Sequence, residues 1–167
     1  VKGKIVKLPY LLKSFLGYRN FAMMDEKGEY LAKANSLWSL LDMTTGKPVV
    51  VNEAMHKGYT IDEKLDMNYA PRKIAVPEGG VTEEMIVVKK HHLDTNHHVN
   101  NGQYVNIAME YLPDDFVIRQ MRAEYKKQAF LDDILYPYVV PVENGYVISL
   151  RDEEGKPYVS VEFLQKL

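Results

Sequence analysis

The stretch FAMMDEKGEYLAKANSLW (21–38) has a counterpart in ISLRDEEGKPYVSVEFLQ (148–165) when the two are aligned at one constant offset. Asp25 falls on Asp152, a glycine follows three positions later in both copies, and the alternating apolar positions coincide. Period-two alternation on both sides of an Asp/Gly turn is typical of a β-hairpin. The chain is therefore predicted to contain the same antiparallel hairpin twice.

A third strand extends the repeat when the offset is increased by two positions, which places GKIVKL (3–8) on DDILYP (132–137). Both halves then carry a three-stranded meander, and only the second half has a strand and a helix before it. Three isolated strands bury one face poorly, so this pattern predicts about 50 further residues upstream of Val1. Antiparallel strands combined with a single helix indicate an α+β fold.

The region between the two meanders, residues 52–80, is rich in Gly, Pro and charged residues and has little periodicity. Such a composition is typical of a linker. We therefore predict the last strands of a truncated first domain at 1–51 and a complete second domain at 81–167. Apolar residues at helical spacing from Val99 to Leu112 predict a helix that Pro113 ends.

The composition excludes several classes of function. Lys and Arg number 21 against 23 Asp and Glu, for a net charge of −2. Binding to nucleic acid needs a clustered positive field, so it is not expected. No run of about 18 apolar residues occurs, so no membrane span is predicted. The absence of cysteine excludes disulfides, thiolate zinc ligands and a cysteine nucleophile, and it fits a reducing compartment.

A polar segment, HHLDTNHHVNN (91–101), lies directly before the predicted helix and contains four of the five histidines. Asp94, Asn96 and His98 are spaced by two, so in an extended segment their side chains would face one side. A carboxylate, an amide and an imidazole are the groups needed to activate water against an acyl carbon. The free N–H groups at a helix start also favour an anion or a developing oxyanion.

Two other interpretations of this segment stay open. Asp and Asn before a helix commonly act as caps, a role that Asn100 or Asn101 alone could fill. A metal site is the second interpretation. Its candidate ligands are His91, His92, Asp94, His97 and His98. Adjacent histidines rarely bind one ion together, however, and no helical His-x-x-x-His pair occurs. A His-His-x-x-x-Asp acyltransferase is not supported, because Asn96 and Gly102 occupy the required Asp positions.

The segment LDTNHHVNNGQYV (93–105) closely resembles the Asp-x-Asn-x-His-Val-Asn-Asn-x-x-Tyr motif of the acyl-acyl carrier protein thioesterases of plants and bacteria. The matching residues are Asp94, Asn96, His98, Val99, Asn100, Asn101 and Tyr104. Residues 17–48 are similar to the family's stretch of Arg-x-Phe, an Asp-Gly turn, Ser-x-Trp and Asp-x-x-Thr-x-x-Pro. AEYKKQAFLDD (123–133) is similar to its Glu-Tyr-Lys/Arg-Lys/Arg-Glu stretch. The resemblance covers nearly all of the 167 residues.

The resemblance implies both a fold and a reaction. The family is built from two tandem hotdog domains, each a curved antiparallel sheet wrapped around a long helix, and the first would be incomplete here. The implied reaction hydrolyses the thioester between a fatty acyl chain and acyl carrier protein, which ends chain elongation and needs no metal or organic cofactor. The implied partner is acyl carrier protein, a homodimer through the sheets is allowed, and a bacterial chain would be cytoplasmic.

By the same resemblance, Asp94, Asn96 and His98 form the catalytic set. Asp94 would be the base that activates water, or the nucleophile, while Asn96 and His98 would orient the water and polarise the thioester. Backbone N–H groups near Val99–Asn101 would hold the oxyanion. Loss of one such donor typically costs about 3–4 kcal/mol of barrier.

Two positions depart from the family pattern. Gln128 stands where the family commonly has a Glu thought to assist with water, and an amide can hydrogen-bond but cannot accept a proton at neutral pH. Ala129 stands where plant members have a Cys, so a Cys-His mechanism is excluded. Gln128 and the incomplete first domain leave open a non-catalytic module that binds acyl chains or the carrier protein. A metal-dependent hydrolase using the His91–His98 cluster is the remaining alternative.

Overall fold

The computed structural model describes residues 3–42, 44–52, 57–58 and 60–165. The chain divides into two compact units, Val1–Ala70 and Pro71–Leu167, and the boundary between them falls within the predicted linker. Residues 53–56 and 59 of that linker lie outside the described residues, as do the residues at both chain ends.

The first unit contains a three-stranded antiparallel sheet. Its strands, in order across the sheet, are β1 (Gly3–Lys13), β2 (Leu16–Asp25) and β3 (Tyr30–Ser39). The side chain of Asn20 in β2 is fully buried, and its Oδ1 accepts the N–H of Leu65 and the hydroxyl of Tyr69, both at 3.0 Å. Because a buried amide needs such partners, these contacts hold residues 65–69 against one face of the sheet.

The second unit contains a six-stranded antiparallel sheet and one α-helix. Its strands are β4 (Val81–Thr82), β5 (Ile86–Val87), β6 (Gln120–Tyr125), β7 (Ile134–Val142), β8 (Gly145–Arg151) and β9 (Pro157–Leu164). The order across the sheet is β4-β7-β8-β9-β6, and β5 pairs with another part of β7. A 3-10 helix, Lys90–His92, precedes helix α1, which spans Asn101–Met109.

Helix α1 packs on one face of the second sheet. Apolar side chains at alternate positions of β8 and β9 point towards it. The buried residues of this core include Tyr104, Ile107, Ala108, Ile148, Leu150, Val159, Val161 and Phe163. The helix has nine residues and is shorter than expected, because the amides of Tyr111 and Leu112 bond to carbonyls three residues back and tighten the chain before Pro113. In the part of the chain that the structure describes, no helix is long and apolar enough to cross a bilayer.

A segment that we call the strap, residues 71–80, runs across the opposite face of the second sheet. At one edge, the Glu124 carboxylate of β6 accepts the N–H of Ile74 at 3.0 Å. Towards the other edge, the Tyr138 hydroxyl of β7 accepts the N–H of Gly80 at 2.8 Å. Ile74 is only 5% exposed. The strap is therefore packed on the sheet, although its sequence has the composition of a linker.

The strap is attached at both ends of a polar row of the sheet. The strand register places Glu124 opposite Ser160, Ser160 opposite Ser149, and Ser149 opposite Tyr138. Both serines are fully buried, and their Oγ atoms lie 3.4 Å apart. The strap is attached to the residues at both ends of this row, and the Nε of Arg151 donates to the Oγ of Ser149 at 3.4 Å.

The predicted hairpin repeat is confirmed by the strand register. Met23 pairs with Ala32 in the first unit, and their counterparts in the sequence alignment, Leu150 and Val159, pair in the second. The register shifts at the equivalent point in both hairpins, directly after Met23 and directly after Leu150. The two hairpins therefore share a β-bulge as well as a pairing scheme.

The predicted alignment of the third strand is wrong. Lys7 of β1 faces Phe21, and Val139 of β7 faces Ile148, which is the counterpart of Phe21. Lys7 therefore corresponds to Val139, and not to Tyr136 as the sequence match predicts. The partner of a strand residue is set by the hairpin connection and by bulges such as the one in β1. Sequence similarity between two strands does not determine which residues they pair with.

Candidate active site

The polar segment before helix α1 folds into a tight turn. Leu93 and Val99 pair as an isolated antiparallel bridge, and the N–H of Asp94 donates to the carbonyl of His98 at 3.0 Å. The N–H of His97 donates to the carbonyl of Asp94 at 3.1 Å, and His97 has a φ of 63°, in the left-handed region. The expected extended conformation, with alternate side chains on one side, is therefore wrong.

The turn brings Asp94 and His98 together. The Oδ2 of Asp94 lies 3.6 Å from the Nδ1 of His98, and each side chain is 22% exposed. This distance allows electrostatic attraction but exceeds a good hydrogen bond. The other carboxylate oxygen, Oδ1, accepts the N–H of Asn96 at 2.8 Å. One oxygen thus fixes the carboxylate in the turn, and the other faces the imidazole.

Asn96 lies at the exposed tip of the turn. Its backbone N–H holds the Asp94 carboxylate. Among the described residues, its side chain makes no hydrogen bond to Asp94 or His98. The structure therefore groups two of the three predicted catalytic side chains, those of Asp94 and His98. Asn96 contacts this pair through its backbone N–H and not through its side chain.

At the start of helix α1, two of the three N–H groups predicted to hold an oxyanion already donate to backbone carbonyls. The N–H of Val99 donates to the carbonyl of Ala129 at 2.8 Å, and the N–H of Asn100 donates to the carbonyl of His92 at 2.9 Å. Asn100 caps the helix, since its Oδ1 accepts the N–H of Gly102 at 2.8 Å. Within the described part of the chain, the amide of Asn101 has no such partner. Of the three predicted oxyanion donors, the N–H group of Asn101 is therefore the one that is free to bind an oxyanion.

His91 and His92 have a structural role next to the turn. The Nδ1 of His92 accepts the N–H of Lys89 at 3.0 Å, and the two imidazole rings lie 4.1 Å apart, edge to face. Burial, and then the charge of His91, lower the pKa of His92 below its usual value. Across the described residues, no group of three or more His, Asp or Glu side chains is placed to hold a metal ion.

The segment 128–130 packs against the turn. His98 pairs with Phe130 as an isolated antiparallel bridge, and the carbonyl of Ala129 accepts the N–H of Val99. The N–H of Ala129 donates to the hydroxyl of Tyr104 at 2.8 Å. Gln128 is exposed and directly precedes these contacts. The Tyr104 and Phe130 contacts join residues that lie far apart in the chain, so no local sequence signal could have predicted them.

A shallow cleft in the second unit lies apart from the motif. It encloses about 320 Å³, and no residue of 93–105 lines it. The residues that line it are Thr82, Tyr136, Tyr138, Arg151, Asp152, Glu153 and Gly155. The Arg151 guanidinium stacks over the Tyr138 ring at 3.7 Å, which fills part of the space. This cleft does not include the Asp94–His98 pair.

Comparison with known proteins points to one family. Residues 77–156 match the family model of the acyl-ACP thioesterase C-terminal domain. This match supports membership of the acyl-ACP thioesterase family. The matched segment contains Asp94, Asn96 and His98, as well as the departures at Gln128 and Ala129.

Two curated plant relatives of the family are similar to this chain. They are the chloroplastic acyl-[acyl-carrier-protein] hydrolases FATB1 and FATB3 of Cuphea viscosissima. Identity to FATB1 is 26% over 148 residues, which is 79% of this chain and 35% of the relative. Identity to FATB3 is 21% over 155 residues, or 78% of this chain and 38% of the relative. The chain therefore spans little more than a third of the length of these relatives.

A solved structure from the family shares the fold. The acyl-ACP thioesterase of Bacteroides thetaiotaomicron superimposes with a TM-score of 0.83 and 19% sequence identity, over 96% of this chain and 67% of that chain. At 19% sequence identity, the match shows similarity of the fold alone. It confirms the α+β hotdog-like architecture that the resemblance implied, with antiparallel sheets and little helix among the described residues.

Proposed function

We propose that this chain hydrolyses the thioester of a fatty acyl-acyl carrier protein and releases the free fatty acid. The observation that carries the proposal is the contact of 3.6 Å between the Asp94 carboxylate and the His98 imidazole. It lies within the segment that matches the acyl-ACP thioesterase C-terminal domain. A partly buried carboxylate beside an imidazole can take a proton from water and stabilise the charge that develops.

In the proposed reaction, Asp94 is the general base. Its carboxylate accepts a proton from a water molecule as the water oxygen attacks the acyl carbon. The tetrahedral oxyanion then collapses, the C–S bond breaks, and the thiolate of the carrier protein leaves and takes up a proton. Alternatively, the Asp94 carboxylate attacks the acyl carbon itself, which gives a mixed anhydride that water opens. In both versions the products are a fatty acid and the free thiol.

Three further groups complete the proposed site. The imidazole of His98 orients the Asp94 carboxylate and polarises the thioester. The Asn96 side chain, at the tip of the turn, positions the water or the substrate. The N–H of Asn101 is the oxyanion donor, because it is the first residue of α1 and the two amides before it are already bonded.

We also propose that the first unit is the counterpart of the last three strands of a hotdog domain. The register of β2 and β3 repeats that of β8 and β9, and β1 occupies the place of β7. The predicted assignment of residues 1–51 to a first domain and 81–167 to a second agrees with this correspondence. The strap would then belong with the second domain, on which it packs.

Gln128 supports the alternative function. It lies directly before Ala129, next to the turn, and it supplies no carboxylate there. An enzyme that depends on two carboxylates would be slow in this form. A module that binds acyl-acyl carrier protein without cleaving it would keep the same surface, and the assay below separates the two functions.

The test measures thiol release from acyl-acyl carrier proteins of several chain lengths. We expect turnover that survives EDTA and falls about 10²- to 10⁴-fold in Asp94→Ala, because a general base contributes about that much. Asp115→Ala, an exposed acid outside the motif, is the matched control and should keep the wild-type rate. Full activity in Asp94→Ala would disprove the mechanism, and binding without release would establish the non-catalytic module. Turnover that requires a stoichiometric metal would favour the histidine cluster.

A further inference from the structure

The hydroxyl of Tyr104 makes a contact that packing alone does not require. Tyr104 lies in the middle of α1 and is 2% exposed, so its ring belongs to the core. Its oxygen accepts the N–H of Ala129 at 2.8 Å, and Ala129 is fully buried. Burial raises the pKa of Tyr104 to about 12, so the hydroxyl stays protonated at neutral pH.

The chain around Ala129 needs this contact because it has left the sheet. The last pairing of β6 with β9 joins Tyr125 to Val159. Beyond it, the amides of Lys126 and Lys127 both donate to the single carbonyl of Tyr158, at 2.8 and 3.1 Å. The ladder therefore ends there. A buried amide that follows such a break would otherwise lack an acceptor, which is costly.

Through Ala129, the Tyr104 hydroxyl connects the core to the turn. The carbonyl of Ala129 accepts the N–H of Val99, and the next residue, Phe130, pairs with His98. The residue before Ala129 is Gln128. The hydroxyl thus fixes, through the single residue Ala129, the main chain that carries His98 and the main chain that carries Gln128.

We propose that Tyr104 is a positioning residue, which uses its hydroxyl to hold His98 and Gln128 in register for thioester cleavage. This inference rests on the proposed function. Tyr104 does not contact the reacting atoms, and it acts through Ala129 and Val99. Displacement of a catalytic group by about 1 Å can lower the rate by about 10²-fold, so one distant hydroxyl is sufficient to affect turnover.

The test is Tyr104→Phe, which removes one oxygen and keeps the ring in the core. With acyl-acyl carrier protein as substrate, well below the melting temperature of the variant, we expect kcat to fall about 10- to 100-fold. KM should stay within about twofold, since no substrate contact is lost. Tyr146→Phe is the matched control, because Tyr146 packs partly buried against the same core and its ring contacts Phe116, with centroids 5.5 Å apart. It should leave kcat unchanged.

A second readout does not depend on turnover. Hydrogen exchange at the amides of Val99 and Ala129 should accelerate about tenfold or more in Tyr104→Phe. The amide of Ile148, in the centre of the sheet, should be unaffected. If Tyr104→Phe does not fold, 3-fluorotyrosine at position 104 keeps the hydroxyl as a weaker acceptor. Smaller changes in the same direction are then expected.

The outcomes separate this inference from the proposed function. If Asp94→Ala abolishes turnover and Tyr104→Phe keeps kcat within about twofold, the positioning role is wrong and the proposed function stands. Equal acceleration of exchange at Val99 and Ile148 would also overturn it, since the hydroxyl would then be only a general stabiliser. If the wild-type chain releases no fatty acid, both the proposed function and the positioning role fall.

Discussion

Asp25 and Asp152 hold the same turn in the two hairpins, with the same set of hydrogen bonds. In each case Oδ1 accepts the N–H groups two and four residues later, at 2.8–2.9 Å for Asp25 and 2.8–3.1 Å for Asp152. A glycine with positive φ follows each aspartate, at Gly28 and Gly155. A shared turn, bulge and register in two hairpins are consistent with an internal duplication of the meander.

The two aspartates differ in one respect, which gives a testable pH dependence. Oδ2 of Asp152 lies 2.9 Å from Nζ of Lys127. The Lys127 hydrogen bond, and then the turn amides, hold the pKa of Asp152 below its usual value of 3.8. A carboxyl with a lowered folded-state pKa stabilises the fold above its unfolded pKa, and this stabilisation disappears as the pH falls through the folded value. We expect Asp152→Asn to lower the melting temperature at neutral pH and to match wild type in strong acid.

Asp25→Asn is the matched control for that experiment. The Asp25 turn is the same, but Asp25 has no ion-pair partner among the residues that the structure describes. Salt should therefore shrink the effect of Asp152→Asn and leave that of Asp25→Asn unchanged, because salt screens exposed ion pairs. Thermal melts at several pH values and salt concentrations measure both effects. Identical salt dependence in the two variants would show that the Lys127 contact contributes nothing.

The strap gives a second prediction, on stability. Ile74 is 5% exposed and its N–H donates to Glu124 of the second sheet, and Ile→Ala substitutions at buried sites cost about 2–5 kcal/mol. We expect Ile74→Ala to lower the free energy of unfolding by about 2–4 kcal/mol, as measured by denaturant titration. Val81→Ala, at a residue 60% exposed just beyond the strap, should cost less than about 0.5 kcal/mol. A small effect of Ile74→Ala would mean that the strap is only loosely attached.

The parts of the fold that could be predicted are those set by local chemistry. The hairpins follow from an aspartate, a glycine and period-two alternation, all within one short stretch of the chain. The start of helix α1 follows from Asn100 as its cap, one of the two candidates in the sequence. The pairing of β1 could not be predicted, because a bulge changes the register without any distinctive residue type.

At the candidate site, too, some features could be predicted from local sequence and others depend on tertiary contacts. Asp94 and His98 were predicted as partners from their types, but the expected extended geometry was wrong. The Asp94 carboxylate bonds to the Asn96 amide, and the positive φ of His97 closes the chain into a turn. The contacts of Tyr104 with Ala129 and of Phe130 with His98 depend on tertiary packing. Such non-local contacts leave no pattern in the residues on either side.

The cap of helix α1 gives a third prediction, which joins stability to activity. Asn100→Ala removes the acceptor of the Gly102 N–H, and loss of an N-cap costs about 1 kcal/mol. The same change loosens the first turn, which carries the Asn101 amide, so we expect kcat to fall as well. Denaturant titration and the thiol-release assay measure the two effects. Asn106→Ala, at an exposed position within the same helix, should change neither by much. A normal kcat in Asn100→Ala would argue against the Asn101 amide as oxyanion donor.

Gln128→Glu is the fourth prediction, and it tests whether the missing carboxylate limits this chain. Gln128 is exposed and adjoins the segment that pairs with His98, so a Glu there would bring a second proton acceptor near the turn. We expect kcat for acyl-acyl carrier protein to rise by about tenfold or more, with little change in KM, because a general base acts on the chemical step. Gln120→Glu, which makes the same charge change at the start of β6, is the control and should leave kcat unaltered. An equal gain in both variants would indicate a general effect of negative charge. No gain in Gln128→Glu would mean that Asp94 alone supplies the base and that Gln128 already positions the water.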